Sequence, residues 1–338
     1  MPWDDEGESR QEPLHYLGPQ GSFTHQAAAG AAELLSGGPL GAGQAPRLVA
    51  VSDVPAIVSA VERGEAWGVV AWENNVEGYV VPNLDLLIDS RDAVGFVRVA
   101  VDIAFDAFTR GPRIDPDGVR VSAHPHGLAQ CKGFIAEHHL TVVPAASNAA
   151  ACRDLQPGRM ALGPSICGPL YGLTTVARSV QDYSGAHTEF LVLAPRAEAR
   201  QLLERARGNG VDEFETIITF IPLSTGPGVL ANLLDVVRDA GLNMTSFISR
   251  PIKGHDGTYS FIVTLDAAPW QPRFRTVLEE IADHGDWVKT LAVYPRRERP
   301  NPPVDAWMLP EGGVHVDEGT LRDAARNRAD ELDRELLW

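Results

Sequence analysis

The chain has 338 residues, 44% hydrophobic and 22% charged, with a net charge of −16, values that fit a soluble protein of two domains, or of one large domain with appendages. That negative balance argues against nucleic acid or an anionic membrane as a main partner, since both would be repelled, although a local pocket can reverse the field for a small anion. The acidic opening MPWDDEGESRQEP is neither signal peptide nor anchor, and no stretch approaches the ~20 apolar residues of a membrane helix, which points to the cytoplasm.

Residues 1–12 read as a disordered tail. From Leu14 short apolar strands alternate with helical stretches. LHYLGP is a strand entering a turn, and SFTHQAAAGAAELL is an Ala-rich helix with Ser22 as its N-cap. VSDVPAIVSAVERG is a second helix, capped by Ser52 or Asp53. GVVAWE is a buried strand, and GFVRVAVDIAFDAFT a longer extended pair. VRVSAHP ends a strand before the helix PHGLAQCKGFIAEHH, and TVVPAAS leads into the helix NAAACRDL, capped by Ser147 or Asn148. The strand TEFLVLAP ends at Pro195. This mostly βα order argues for α/β layers over residues 13–195.

Residues 196–213 read as an interdomain linker or a short connecting helix. Residues 214–296 then run strand, helix, strand, strand, helix, strand, with KGHDG as the turn of the central hairpin. That βαββαβ order is ferredoxin-like, and by itself says little about function. Residues 297–338, rich in proline and acidic groups, form a C-terminal extension whose last segment, ELDRELLW, has helical character.

Five segments carry more polar and glycine-rich detail than a core requires. GPQGSFTHQAA, residues 18–28, puts free backbone N–H groups at a helix start, a cradle for a carboxylate or an ordinary strand-to-helix turn. WENNVEGYVVPNLDLL, residues 72–87, places Glu73, Asn74 and Asn75 at a strand end, where α/β folds bind ligands, though both asparagines also suit a turn. AHPHGLAQC, residues 123–131, brings His124 and His126 to another strand end. Two histidines flanking a proline, without a third ligand nearby, do not make a zinc site, so no metal is expected. SNAAA, residues 147–151, and HTEF, residues 187–190, complete the set. Walker, dinucleotide-binding, zincin and nucleophile-elbow patterns are absent. Cys131, Cys152 and Cys167 have no Cys-x-x-Cys spacing and read as buried reduced thiols. The residues alone lead to a cofactor-free α/β domain with a small-anion pocket between lobes.

In order and spacing the five segments resemble prephenate dehydratases, from about residue 14 to 195. GPQGSFTHQAA resembles that family's opening motif, WENNVEGYVVPNLDLL its Glu-Asn-Ser segment, AHPHGLAQC its Ser-His-Pro-Gln segment and GPSICGPLYGL its late Tyr-Gly-Leu helix. The βαββαβ unit resembles the ACT regulatory domain that follows, with GPGVL (Gly226, Gly228, Val229, Leu230) and Ile248, Ser249, Arg250 and Pro251 at its phenylalanine-binding motifs. The resemblance implies a two-lobed catalytic domain like a periplasmic binding protein, an active site in its cleft, and conversion of prephenate to phenylpyruvate without a cofactor. It implies that Thr188 hydrogen-bonds the departing hydroxyl. Ser22, Asn74, Asn75, Ser147 and Asn148, with Glu73 and His124, would orient the substrate, and Phe23 and Phe190 would wall its ring. Homodimers or homotetramers through the ACT domains are expected.

Three departures fall at this site. Thr-Arg-Phe reads Thr188-Glu189-Phe190, Glu-Asn-Ser ends in Asn75, and Ser-His-Pro-Gln reads Ala123-His124-Pro125-His126. An anion at position 189 beside a dianionic substrate needs another cation, a proton, or a turn away from the site. A protonated Glu189 or His126 would suit an alternative, non-aromatising prephenate decarboxylation, and a non-catalytic sensor with an ACT domain is a second. Ile248 stands where the family has Glu, so phenylalanine binding is expected to be weak or absent.

Overall fold

A computed structural model describes residues 11–41, 43–112, 114–224, 226–252, 254–255, 257–296, 304–316 and 329–337. It divides into a unit of residues 1–296 and a second of residues 297–338. In the first, β1 (Pro13–Leu17) pairs in parallel with β2 (Arg47–Val51) on one side and β3 (Trp67–Asn74) on the other. Parallel pairing demands crossovers, and α1 (Phe23–Gly37) and α2 (Val54–Glu62) supply them. Ser22 caps α1 through His25 N–H and Asp53 caps α2 through Ala56 N–H, which satisfies a first-turn donor in each.

β11 (His187–Pro195) runs antiparallel between β3 and β5 (Ala93–Asp102). Side chains alternate across this sheet. Val69, Ala71, Phe190 and Val192 pack toward α1, while Val70, Trp72, Leu191 and Leu193 pack with α2 and α3 (Val81–Asp89). α8 (Arg196–Gly208) buries Ala199, Leu202, Leu203 and Ala206 against the α1 side. The expected linker is therefore the connecting helix of the two readings, and it belongs to the core.

After β5 the chain enters a second sheet, ordered β10 (Thr174–Ala177), β6 (Asp106–Thr109), β9 (Met160–Gly163), β7 (Arg120–Ala123), β8 (Thr141–Pro144). It returns through β11, and the Ile103 N–H donates to the Ala186 carbonyl at 2.8 Å, tying the two crossings together. Two α/β lobes result. The helix expected over residues 125–139 is broken at Cys131 (φ −125°, ψ 30°) into α4 (Pro125–Gln130) and α5 (Lys132–Glu137). α6 (Asn148–Arg153) is capped by Ser147, and α7 (Cys167–Tyr171) follows β9.

Residues 214–295 form the βαββαβ unit: β12 (Phe214–Ile221), α9 (Val229–Asp239), β13 (Met244–Pro251), β14 (Tyr259–Leu265), α10 (Pro272–Asp283) and β15 (Trp287–Pro295). Its sheet, ordered β13-β14-β12-β15, continues into the first lobe because β15 pairs in parallel with β5 at Ala292 and Gly95. A Cβ on Gly95 would lie 2.8 Å from that of Ala292, so glycine permits the approach.

Residues 1–10 of the expected N-terminal tail lie outside the described residues, as does much of the C-terminal extension. The extension contains a 3₁₀ turn over Ala306–Met308 and α11 (Ala329–Leu336), with the Gly313 N–H donating to Glu335 at 2.8 Å.

Candidate active site

The site begins where β3 and β11 end together. A bulge in β3 at Trp72–Glu73 shifts the pairing from Phe190 opposite Ala71 to Glu189 opposite Glu73 and Thr188 opposite Asn74. The extra residue turns Asn74 to the same face as Thr188, the α1 side, and sends Glu73 and Glu189 to the other. Asn74 Oδ1 then accepts the backbone N–H groups of Val76 and Glu77, both at 2.9 Å. With its oxygen committed to that turn, Nδ2 donates to Thr188 Oγ1 at 2.9 Å. The Thr188 hydroxyl is thus an acceptor toward Asn74 and donates no hydrogen bond among the described residues.

α1 packs against β3 and β11, and its start meets the starts of two helices of the second lobe, α4 and α6. Ser22 and Phe23 open α1. The buried His25 ring accepts the Gly21 N–H at Nδ1 (3.0 Å) and stacks on Tyr16, and burial holds its pKa below the ordinary value. Across the lobes Tyr171 donates to the Gln20 carbonyl at 2.6 Å and Cys167 to that of Gly21 at 3.2 Å. Phe23 meets Phe105 edge-on at 5.4 Å. A Cβ on Gly127 would lie 3.0 Å from Phe105 and 2.5 Å from Asn148 Oδ1, so only glycine fits this close packing. Asn148 Oδ1 accepts the His124 N–H at 2.9 Å, and His124 Nδ1 accepts the His126 N–H at 3.2 Å. Contacts through Phe23, Phe105 and Gly127 therefore connect the α1 start to the α4 and α6 starts.

Residues 14–198 match the model of the prephenate dehydratase family. The chain belongs to the prephenate dehydratase family. It is 33% identical to the prephenate dehydratase of Mycolicibacterium gilvum over 257 residues, 73% of this chain and 79% of that protein. With the Amycolatopsis methanolica prephenate dehydratase it shares 30% over 291 residues, 84% and 89% of the two chains. The prephenate dehydratase of Arthrobacter aurescens, solved with L-Phe, superposes with a TM-score of 0.66 at 25% identity, covering 96% of this chain and 99% of that one.

Within this prephenate dehydratase frame several expected site residues take other roles. Glu189 is turned away from Thr188 and buried, its carboxylate accepting from Arg98 Nε at 3.0 Å. Arg98 of the neighbouring strand β5 thus balances Glu189, and both lie on the face opposite Thr188. Glu73, opposite Glu189 in register, shares that far face. Asn75 is a clamp: its Nδ2 donates to the Gly185 carbonyl and its Oδ1 accepts the His187 N–H, both at 2.8 Å. Phe190 lies on the Thr188 face one step deeper, in the core at 2% exposure, so Phe105 takes the place expected of it as partner to Phe23. Ser22 and Ser147 each commit an oxygen lone pair to capping.

Sequence reasoning missed Phe105, Gly127 and Arg98. The first two lack any local signal. Arg98 had one, as the lone charge in the apolar run GFVRVAV. Burial works against its charge, but Tyr294, Glu189 and Glu215 outweigh it and raise its pKa above the usual arginine value. The three cysteines are buried and form no disulfide. Burial, with Asp182 nearby, pushes Cys131 up to about 12. Among the described residues no group of three or more His, Cys, Asp or Glu could hold a metal ion, and no helix is long and apolar enough to cross a membrane.

In the βαββαβ unit Gly226 (φ 140°) and Gly228 (φ 88°) lead into α9, where left-handed backbone favours glycine, and Val229 and Leu230 open the helix. Ile248 is half-buried against a core cluster that the unit shares with the first lobe, and Arg250 reaches Asp85 of α3 at 3.3 Å. Ser249 and Pro251 are exposed.

Proposed function

We propose that this chain converts prephenate to phenylpyruvate in phenylalanine biosynthesis. The observation that carries the reading is the Asn74–Thr188 bond, in which Thr188 Oγ1 accepts and so keeps its own hydrogen to donate. In the reaction the ring C–C bond to the carboxylate breaks, carbon dioxide leaves, the bond's electron pair enters the ring, and the ring C–O bond breaks opposite. Hydroxide leaves, and a hydrogen bond from Thr188 stabilises its departure. Aromaticity supplies the driving force, so no cofactor enters the scheme. The α1 start at Ser22, together with His124 and Asn148, offers donors for the substrate's carboxylates. Phe23 and Phe105 wall the ring.

The test is the full chain incubated with prephenate at neutral pH, with products identified by NMR. Phenylpyruvate well above the spontaneous rate supports the reading. A product that keeps its ring hydroxyl would instead assign a non-aromatising decarboxylase, a route the engagement of Glu189 by Arg98 disfavours. No turnover would move the weight to a sensor.

The βαββαβ unit reads as an ACT-type regulatory domain that also assembles the chain into dimers or tetramers, which sedimentation tests. The relative solved with L-Phe supports an aromatic amino acid as effector. Weak binding is the reading here, because Ile248 packs on the core cluster shared with the first lobe and Arg250 is paired with Asp85. Tight phenylalanine binding by calorimetry would refute it.

A further inference from the structure

Arg98 projects from β5 to the face opposite Thr188. Its Nε donates to Glu189 at 3.0 Å, and its Nη1 reaches Tyr294 Oη at 3.1 Å and Glu215 at 3.4 Å. Glu189 is the neighbour of Thr188, while Glu215 and Tyr294 belong to β12 and β15 of the C-terminal unit. Side-chain exposure is 11% for Arg98, 7% for Glu189 and 8% for Glu215, so water screens these charges little. Arg98 faces both carboxylates, Glu189 Oε1 also lies 3.8 Å from His187 Nε2, and Glu73 lies opposite Glu189 in the β3–β11 register.

A second contact reaches the other half of the Asn74–Thr188 bond. Asn74 closes the turn into β4 (Gly78–Tyr79), and Tyr79 Oη lies 2.5 Å from Ser246 Oγ on β13. Thr188 is thus the chain neighbour of a group held by the βαββαβ unit, and Asn74 pairs with Gly78, the chain neighbour of another, Tyr79. Thr188 is held through Glu189, Arg98 and Glu215, and Asn74 through the β4 turn and Ser246. Between them β15 pairs with β5 at Ala292 and Gly95, and Leu291, Ala292 and Tyr294 share a buried cluster with Leu191 and Leu193 of β11, so a shift of the unit is carried into the strands that bear Arg98 and Thr188.

We infer that Arg98 is a positioning residue through which the C-terminal unit sets the alignment of the Thr188 hydroxyl, an inference that rests on the dehydratase reading above. A change in the unit, from an effector or from assembly, then alters turnover more than substrate affinity, because it moves the group that meets the leaving oxygen and not the carboxylate donors of the α1, α4 and α6 starts.

The experiment compares the full-length wild type with Glu215→Gln, Arg98→Lys and Arg98→Met. The readouts are kcat and KM with prephenate, thermal unfolding, and the Thr188 methyl NMR signal, assigned through Thr188→Ser. Glu215→Gln, remote from the cleft, is expected to lower kcat roughly two- to thirty-fold, the range of coupling through packed networks, with KM unchanged and the Thr188 methyl signal shifted. Arg98→Met should lose more, and Arg98→Lys should recover part of that loss. A purely structural role would lower the unfolding temperature while kcat per folded molecule and the methyl signal stay as in wild type, and that result overturns the inference. If Arg98→Met does not fold, the other two variants decide. If the wild type itself does not turn over prephenate, the dehydratase reading fails, and the methyl signal in Glu215→Gln still decides whether the unit reaches Thr188.

Discussion

Asn74→Asp isolates the polarity of the Thr188 hydroxyl from the architecture around it. The introduced carboxylate would keep one oxygen for the Val76 and Glu77 N–H groups, both 2.9 Å from Asn74 Oδ1, so the turn into β4 survives. Its other oxygen would replace Nδ2 at 2.9 Å from Thr188 Oγ1, turning a donor into a charged acceptor. The threonine hydrogen then points at the new carboxylate and must be withdrawn before it can meet a leaving oxygen. A hydrogen bond to a charged group contributes about 1.5–3 kcal/mol, which corresponds to a fall in kcat of about 10- to 150-fold at 1.36 kcal/mol per decade. KM should rise as well, because the new charge lies near a dianionic substrate. Phenylpyruvate formation at saturating prephenate measures the first effect, and thermal unfolding shows whether the turn is intact. Wild-type kcat in a folded Asn74→Asp protein would refute the role assigned to Thr188.

Four further outcomes are expected. Gly127→Ala places a Cβ 2.5 Å from Asn148 Oδ1 and 3.0 Å from Phe105. It should cost about 1–3 kcal/mol of stability by overpacking and raise KM through the displaced His124 loop, checked by melting and steady-state kinetics. Leu203→Ala in α8 should cost about 2–5 kcal/mol; a change near zero in denaturant titration would return residues 196–208 to the status of a linker. The pKa of His25 is lowered by burial from its ordinary 6.5, so the unfolded chain binds the proton more readily. Its contribution is present above about pH 6.5 and is lost as pH falls toward the folded-state value. His25→Gln should flatten that part of the stability–pH curve, and an unchanged curve would contradict the assignment. With its pKa pushed up to about 12, Cys131 should not react with a thiol reagent at pH 8 until the chain is unfolded, as mass spectrometry of the labelled peptide would show.

Much of the layout was legible from local chemistry. Ala-rich and apolar periodicity marked α1 and α2, and Ser22 and Ser147 sat where an N-cap must. β-branched runs marked β12, β13 and β14. β2 escaped notice because RLVAV is half exposed at the sheet edge and lacks clean alternation. The long helix over residues 125–139 was expected whole because nothing local announces the break at Cys131, which follows from packing on the second sheet. The polar segments at strand ends were recognised, but where their side chains point was not. Asn75 clamps a loop, Phe190 fills the core, and Glu73 and Glu189 face away.

What the sequence by itself determined was the succession of most elements, the caps and the absence of common cofactor motifs, because these depend on residues a few positions apart. Only the tertiary structure decided which face each side chain takes. A single bulge at Trp72–Glu73 inverts the strand beyond it, and the pairing with β11 then puts Asn74 with Thr188 and Glu73 with Glu189. It alone revealed that Arg98, about ninety residues earlier in the chain, balances Glu189. Register and charge pairing are long-range, set by strands that meet only when the chain has folded, so no local pattern could carry them.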